Sequence, residues 1–193
     1  CKTCGGWALC HSEWCETTGN NKYRGYCLFC FMNLFPDEKV ARNYRTKEKS
    51  VVDFIQFNFS DVTWVCDKKV QDGCSKRRPD MLLDLGEYVI VIEIDENQHI
   101  DYDCSCENKR LMEISRDIDH RNCVFIRFNP DDYFNNDQNK ITSCWGINKN
   151  GILSVKKTKQ KEWQKRLNTL KETIDYWTVN KTDKMVEVIQ LFF

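Results

Sequence analysis

Residues 77–99 read RRPDMLLDLGEYVIVIEIDENQH, and this stretch decides the fold. Two apolar runs, 80–85 and 88–94, flank Gly86-Glu87. A two-residue break led by glycine between such runs predicts a β-hairpin. The second run stays apolar without alternation up to Glu93, as expected of a central strand buried on both faces. Side chains alternate along a strand, so Glu93 and Asp95 fall on one face. The turn lays the two strands side by side and sets Asp80 across from the end of the second. Three carboxylates are therefore expected at one end of a sheet. Left unpaired they would repel one another, and charge set directly behind an apolar run is costly unless it is liganded. A hard divalent cation, Mg²⁺ or Mn²⁺, answers both problems. The plainer alternative is a solvated acidic strand end.

Outward from the hairpin, residues 46–59 have Val51, Ile55 and Phe59 four apart, with Val52 widening the face and Thr46 as a helix N-cap. Residues 61–67 alternate as a strand. Leu111, Ile114 and Ile118 predict a helix over 107–118, and 124–128 a strand stopped by Asn129-Pro130. A short strand is expected at 152–155 and a closing strand at 185–193. Trp163, Leu167, Leu170, Ile174 and Trp177 recur at helical spacing over 158–178. The order is helix, three strands, helix, strand, then helix and strand. It predicts an α/β (α+β) domain over 36–193 with a mixed central sheet flanked by helices.

Residues 1–35 are rich in Cys, Gly and aromatics and have little periodicity. A segment this small needs a staple. The chain has 12 cysteines in 193 residues, several in close pairs, which suits thiolate–zinc ligation better than a disulfide web. A reducing intracellular compartment, cytoplasm or nucleus, follows. Cys27-x2-Cys30 is half of a zinc site, and its partner pair is Cys10/Cys15 or Cys1/Cys4. Cys1, Cys4 and His11 are candidates for part of another site. A second zinc set is expected from Cys74, Cys104, Cys106 and Cys144, while Cys66 and Cys123 read as small buried hydrophobes. Equal numbers of basic and acidic residues, 29 each, mean that any phosphate-binding surface is local. No apolar run reaches the ~20 residues of a membrane span. The chain opens on Cys1 rather than Met, as expected of a piece of a longer protein.

The segment RPD…IEIDENQH resembles the PD-(D/E)XK, restriction-endonuclease-like superfamily of nucleases. More narrowly it is similar to the very-short-patch-repair-like branch, whose signature runs D…(V/I)E(V/I)D-x-x-x-H. The likeness extends over residues 48–133 through Glu48, Asp80, Glu93, Asp95, His99, the pair Glu107 and Arg110, and Val124 with Arg127. It implies an endonuclease that hydrolyses DNA phosphodiesters with Mg²⁺ or Mn²⁺, RNA being the alternative polymer. Asp80, Glu93 and Asp95 would hold the metal, supported by Glu48. The superfamily's lysine position is taken by Asp95, so His99 or Gln98 would serve the attacking water. That departure also admits a catalytically inactive nucleic-acid-binding module on the same fold. The whole chain resembles cysteine-rich proteins of large DNA viruses and algae. Their pattern C-x4-C-(Asp/Glu)-Thr followed by Gly-Tyr-Cys-x-x-Cys implies Cys10, Cys15, Cys27 and Cys30 as the zinc ligands.

The remaining charged candidates have two readings each. Lys76, Arg77 and Arg78 contact phosphate or pair with local acids. Arg127 faces the site or the opposite layer. His120 reads as a helix C-terminal cap. The basic run over 156–171 reads more readily as a solvated face than as a DNA track.

Overall fold

The computed structural model describes residues 8–13, 15–38, 46–70, 73–96, 104–147 and 152–193, with only the backbone at 104–107. The chain divides into two compact units, Cys1–Arg42 with Lys149–Ile152, and Asn43–Asn148 with Leu153–Phe193.

In the first unit, Leu9 bridges Thr18, and the Cys10 and Gly19 amides donate to the Thr17 and Ala8 carbonyls. The loop so formed carries Cys10 and Cys15. A short helix, α1 (Leu28–Leu34), follows, with Cys27 as its N-cap. Gly25 has φ 84°, and a Cβ there would strike the His11 ring, so the loop closes only around glycine.

The second unit is built on a five-stranded mixed sheet. Helix α2 (Thr46–Asn58) leads into β1 (Trp64–Cys66), β2 (Met81–Asp84) and β3 (Tyr88–Ile94). Helix α3 (Cys104–Asp117) crosses to β4 (Asn122–Phe128), α4 (Gln160–Val179) follows later, and β9 (Val186–Leu191) closes the unit. The strand order is β1-β2-β3-β4-β9. Strand β2 is antiparallel to β1 and β3, whereas β4 is parallel to β3 and β9 to β4. Two small hairpins lie between β4 and α4: β5 (Tyr133–Phe134) with β6 (Lys140–Ile141), and β7 (Trp145–Ile147) with β8 (Leu153–Val155).

All seven residues of β3 are buried, as a central strand requires. Its alternate residues feed two cores. Tyr88, Ile90, Ile92 and Ile94 join Val124, Ile126 and Phe128 against α2 and α4. Val89 and Val91 join Leu82, Cys123 and Phe125 against Ile114 and Ile118. Each fully buried Ile or Leu contributes about 1.5–3 kcal/mol of transfer free energy, so the two faces fix the register of β3 strongly. Gly86 takes φ 82° at the β2–β3 turn. Helix α3 ends on Asp119 and His120, both left-handed, with the His120 amide donating to the Ser115 carbonyl.

Helix α4 runs antiparallel to β3 and β4. At its far end the Trp177 carbonyl accepts the Tyr88 hydroxyl at the start of β3 (2.6 Å). At its near end Trp163 meets Phe128 at the finish of β4, with ring centroids 5.9 Å apart. Arg166 is fully buried there, donates to the Asp131 carbonyl (2.8 Å) and lies over Tyr133 and Phe192. Asn129, also fully buried, ties the loop after β4 to the Phe192 carbonyl (2.6 Å).

Candidate functional site

The carboxylates expected on one face are there. Met81 pairs with Ile92, so Asp80, one residue beyond the pair, stands opposite Glu93. Glu93 pairs with Arg127 on β4, and both belong to the α3 side of the sheet, where Val91 and Phe125 precede them by two residues. Asp95 continues that alternation just past β3, its amide held by the Phe128 carbonyl (3.0 Å). This is the end where the parallel strands finish, the place at which an α/β sheet opens a crevice.

Each acid is engaged. The Asp80 carboxylate accepts the Ile94 amide at 2.7 Å. Glu93 is gripped by Arg110 of α3, whose Nη2 donates to both carboxylate oxygens at 2.9 and 2.8 Å. Arg110 Nη2 also donates to the Arg78 carbonyl (3.0 Å). Asp95 accepts from Arg127 Nε at 2.6 Å, and both side chains are buried. Burial pushes the Glu93 carboxyl up to about 7; Arg110 opposes this, while Asp80 and Asp95 add to it. The acids are thus close enough to repel electrostatically. Their oxygens do not gather to the spacing of a single ion: among the described residues, only the four cysteines Cys10, Cys15, Cys27 and Cys30 bring ligand atoms within 4.8 Å of one another. The expected convergence of three carboxylates is thus met in face and register but not in ligand spacing. The guanidiniums of Arg110 and Arg127 draw Glu93 and Asp95 to themselves.

The other expected site residues fall variously. Arg127 faces the acids, not the opposite layer. Arg77 pairs with Glu113 on α3 (2.5 Å), the local-acid alternative, while Lys76 and Arg78 are exposed. Glu48 is half-buried in the first turn of α2. Its neighbour Lys47, buried, bonds Asp131 (2.6 Å) and lies 3.7 Å from Glu96. His99 and Gln98 lie outside the described residues, as do Cys1, Cys4 and the side chains of Cys104 and Cys106. Of the second zinc set, only Cys74 and Cys144 have described side chains. Cys144 is fully buried in the core on the α2–α4 side. Cys74 is exposed beside Ser75, which bonds Asp117 on α3, so the sheet separates the two thiols.

Sequence reading gave Arg110 no role of its own and missed Lys47 altogether. Arg110 had a signal: it lies four residues before Ile114 and eight before Ile118, so it is a charge on the buried stripe of α3.

Comparison of the chain with family models, with curated proteins and with solved structures finds no match.

In the first unit, the four sulfurs are placed to hold a metal ion such as zinc. Cys15 Sγ lies 3.8 Å from Cys27 Sγ. Four sulfurs about 2.3 Å from a tetrahedral zinc are about 3.8 Å apart. Backbone amides support the cluster: Cys27 N donates to Cys10 Sγ (3.1 Å), and Cys30 N to Cys27 Sγ (3.4 Å). Burial works against ionisation of Cys10, but the Cys27 and Ser12 amides outweigh it and bring the thiol down to about 6. The Thr17 hydroxyl and amide hold Cys15 low as well. Cys30 goes the other way, to about 12: the Ser12 hydroxyl favours its thiolate, but Cys27, burial and the other thiols oppose it. Thiolates crowded this closely cannot all ionise without a compensating cation. No helix among the described residues is long and apolar enough to cross a membrane.

Proposed function

We propose that the second unit is a divalent-metal-dependent endonuclease acting on DNA, and that the first carries a structural zinc. The observation that supports the nuclease reading best is the placement of Asp80 opposite Glu93, with Asp95 on the same face, where the parallel strands end. The order helix, three strands, helix, strand around that end agrees with the restriction-endonuclease-like resemblance.

The donors fit Mg²⁺ or Mn²⁺ in kind. They are hard oxygens, and one or two carboxylates suffice when water and phosphate complete the shell. Asp80, Glu93 and Asp95 would hold the ion, which supplies Lewis-acid polarisation of the scissile phosphate. Arg110 and Arg127 keep the acids paired and lie where the negative charge of a phosphate gives them a competing partner. His99 or Gln98 remains the group proposed to orient the attacking water. The four-cysteine set fits zinc in type, number and spacing, and brackets a loop and a helix start that have little core of their own.

A second reading has its own observation. With Glu93 on Arg110 and Asp95 on Arg127, two of the three charges are balanced by the protein itself. That arrangement favours a domain that binds nucleic acid without cutting it. Incubation of supercoiled plasmid with Mn²⁺, wild type beside Asp80→Ala, separates the two: the nuclease nicks or linearises plasmid only with Asp80, whereas the binding module leaves it intact.

A further inference from the structure

We infer that the lysine-rich entry to α4 is a contact surface for the phosphate backbone of double-stranded DNA, set beside the carboxylate end of the sheet. This rests on the nucleic-acid reading of that end. Residues 156–165 hold five lysines and one glutamate in a chain whose total charge balances. The glutamate, Glu162, lies 3.6 Å from Arg166 on the buried side of the helix. Lys156 is committed to the Ser143 carbonyl (3.2 Å). Lys157, Lys161 and Lys165 are exposed, and no ion pair ties them to an acid among the described residues.

Their position follows from the packing. Trp163, Leu167, Leu170 and Ile174 face the core, so Lys161, Gln164, Lys165 and Asn168 line the outer face of α4. Lys157 stands one turn earlier. Because α4 is antiparallel to β3 and β4, this start of the helix lies by Phe128 and Asp131, at the end of the sheet that carries Asp80, Glu93 and Asp95. Towards the other end of α4, by Tyr88, the lysines are paired, Lys171 with Asp175 and Lys181 with Glu87. The helix N-terminus adds positive potential where the lysines sit. The acids stand on the α3 side of the sheet and the lysines on the outer face of α4, which packs on the other side, so the two groups share an end of the sheet and not a face. Flexible lysines with amide neighbours are suited to a backbone read without sequence preference.

The test is the salt dependence of binding to a labelled 30-base-pair duplex in EDTA, comparing wild type, Lys181→Ala and the triple variant K157A/K161A/K165A. Each phosphate neutralised steepens log K against log[salt] by about 0.9. The triple variant is expected to bind roughly tenfold or more weakly on any sequence, with a slope shallower by about 3. Lys181→Ala, an exposed lysine by Glu87 past the other end of α4, is expected to retain the wild-type slope. Circular dichroism checks that the exposed Lys→Ala changes leave the fold intact. An unchanged slope in the triple variant overturns the inference, and so does a wild type that binds phosphatidylserine vesicles but not duplex. A wild type that shows the lysine-dependent slope yet never cuts in Mn²⁺ removes the nuclease reading and leaves this surface standing. Cutting with an unchanged slope in the triple variant does the reverse.

Discussion

Arg110 holds Glu93 by a bidentate grip, 2.8 and 2.9 Å from one guanidinium nitrogen to the two carboxylate oxygens. The pair joins α3 to the centre of the sheet at the end where the acids meet. Glu93 is almost fully buried and Arg110 about one-third exposed, so the carboxylate depends on its partner more than the guanidinium does. Removing one partner of a buried pair costs about 3–5 kcal/mol, and the exposure of Arg110 lowers that to about 2 kcal/mol. Arg110→Ala is expected to lose about this much in urea denaturation, and Arg110→Ala with Glu93→Gln to recover most of it. Additive losses in the double variant would show that the contact contributes nothing through charge.

Zinc should follow the four-cysteine set alone. Elemental analysis is expected to find zinc bound by the wild type and lost in Cys27→Ser. Cys144→Ser is expected to keep the zinc and to lose about 1–3 kcal/mol, because it buries a hydroxyl in an apolar layer. Loss of zinc in Cys144→Ser would return that thiol to a metal centre.

Asp84 gives a pH-dependent contact. Arg121 Nη1 and Nη2 each donate to its carboxylate at 2.8 Å, locking the β2–β3 turn to the loop after α3. The Arg121 bond, and after it the Gly86 amide, outweigh burial and hold this carboxyl below its ordinary 3.8. A depressed carboxyl stabilises the fold above its unfolded pKa, and that stability is lost as pH falls through the folded one. Asp84→Asn is therefore expected to cost less than about 1 kcal/mol at pH 6, the pair being half exposed. The difference from wild type should shrink as pH drops below 3.8. A difference that grows on acidification would reverse the assigned sign.

The large elements were legible because their periodicity is that of their burial. The unbroken apolar run 88–94 is a strand buried throughout, and Leu111, Ile114 and Ile118 lie on the inner side of α3. Strand β1 (Trp64–Cys66) is shorter than the expected 61–67 and stops before Asp67, whose φ is 46°. The short strands β5, β6 and β7 had no such signal. The loop that leads from β4 into them is held by long-range polar contacts: Asn129 to Phe192, Lys47 to Asp131, and Arg166 to the Asp131 carbonyl. Arg166 reads in sequence as one more charge on a basic helix, yet it is fully buried on aromatic rings. Helix α1 was hidden because its start is set by Cys27 as the N-cap rather than by apolar spacing. At the site, the face shared by Glu93 and Asp95 follows from alternation on one strand. Their guanidinium partners come from α3 and β4, which spacing within the hairpin cannot reveal.

His99 is proposed to serve the hydrolytic water, since Asp95 occupies the superfamily's lysine position. His99→Ala is expected to lower the cleavage rate by roughly 10²–10⁴ with thermal stability little changed. A variant that cuts at the wild-type rate would pass the role to Gln98 or to solvent.

The most direct measurement of the central claim is cleavage of supercoiled plasmid by the full chain in Mn²⁺, run beside Asp80→Ala and beside wild type in EDTA. Asp80 meets the other acids only through the β2–β3 register, and its side chain also caps the Ile94 amide, so circular dichroism accompanies the assay. Nicked or linear plasmid from the wild type in Mn²⁺, with none from a folded Asp80→Ala or in EDTA, is the predicted result. Intact plasmid from the wild type in Mn²⁺, or equal cutting by the folded variant, would contradict the assignment of these carboxylates to phosphodiester hydrolysis.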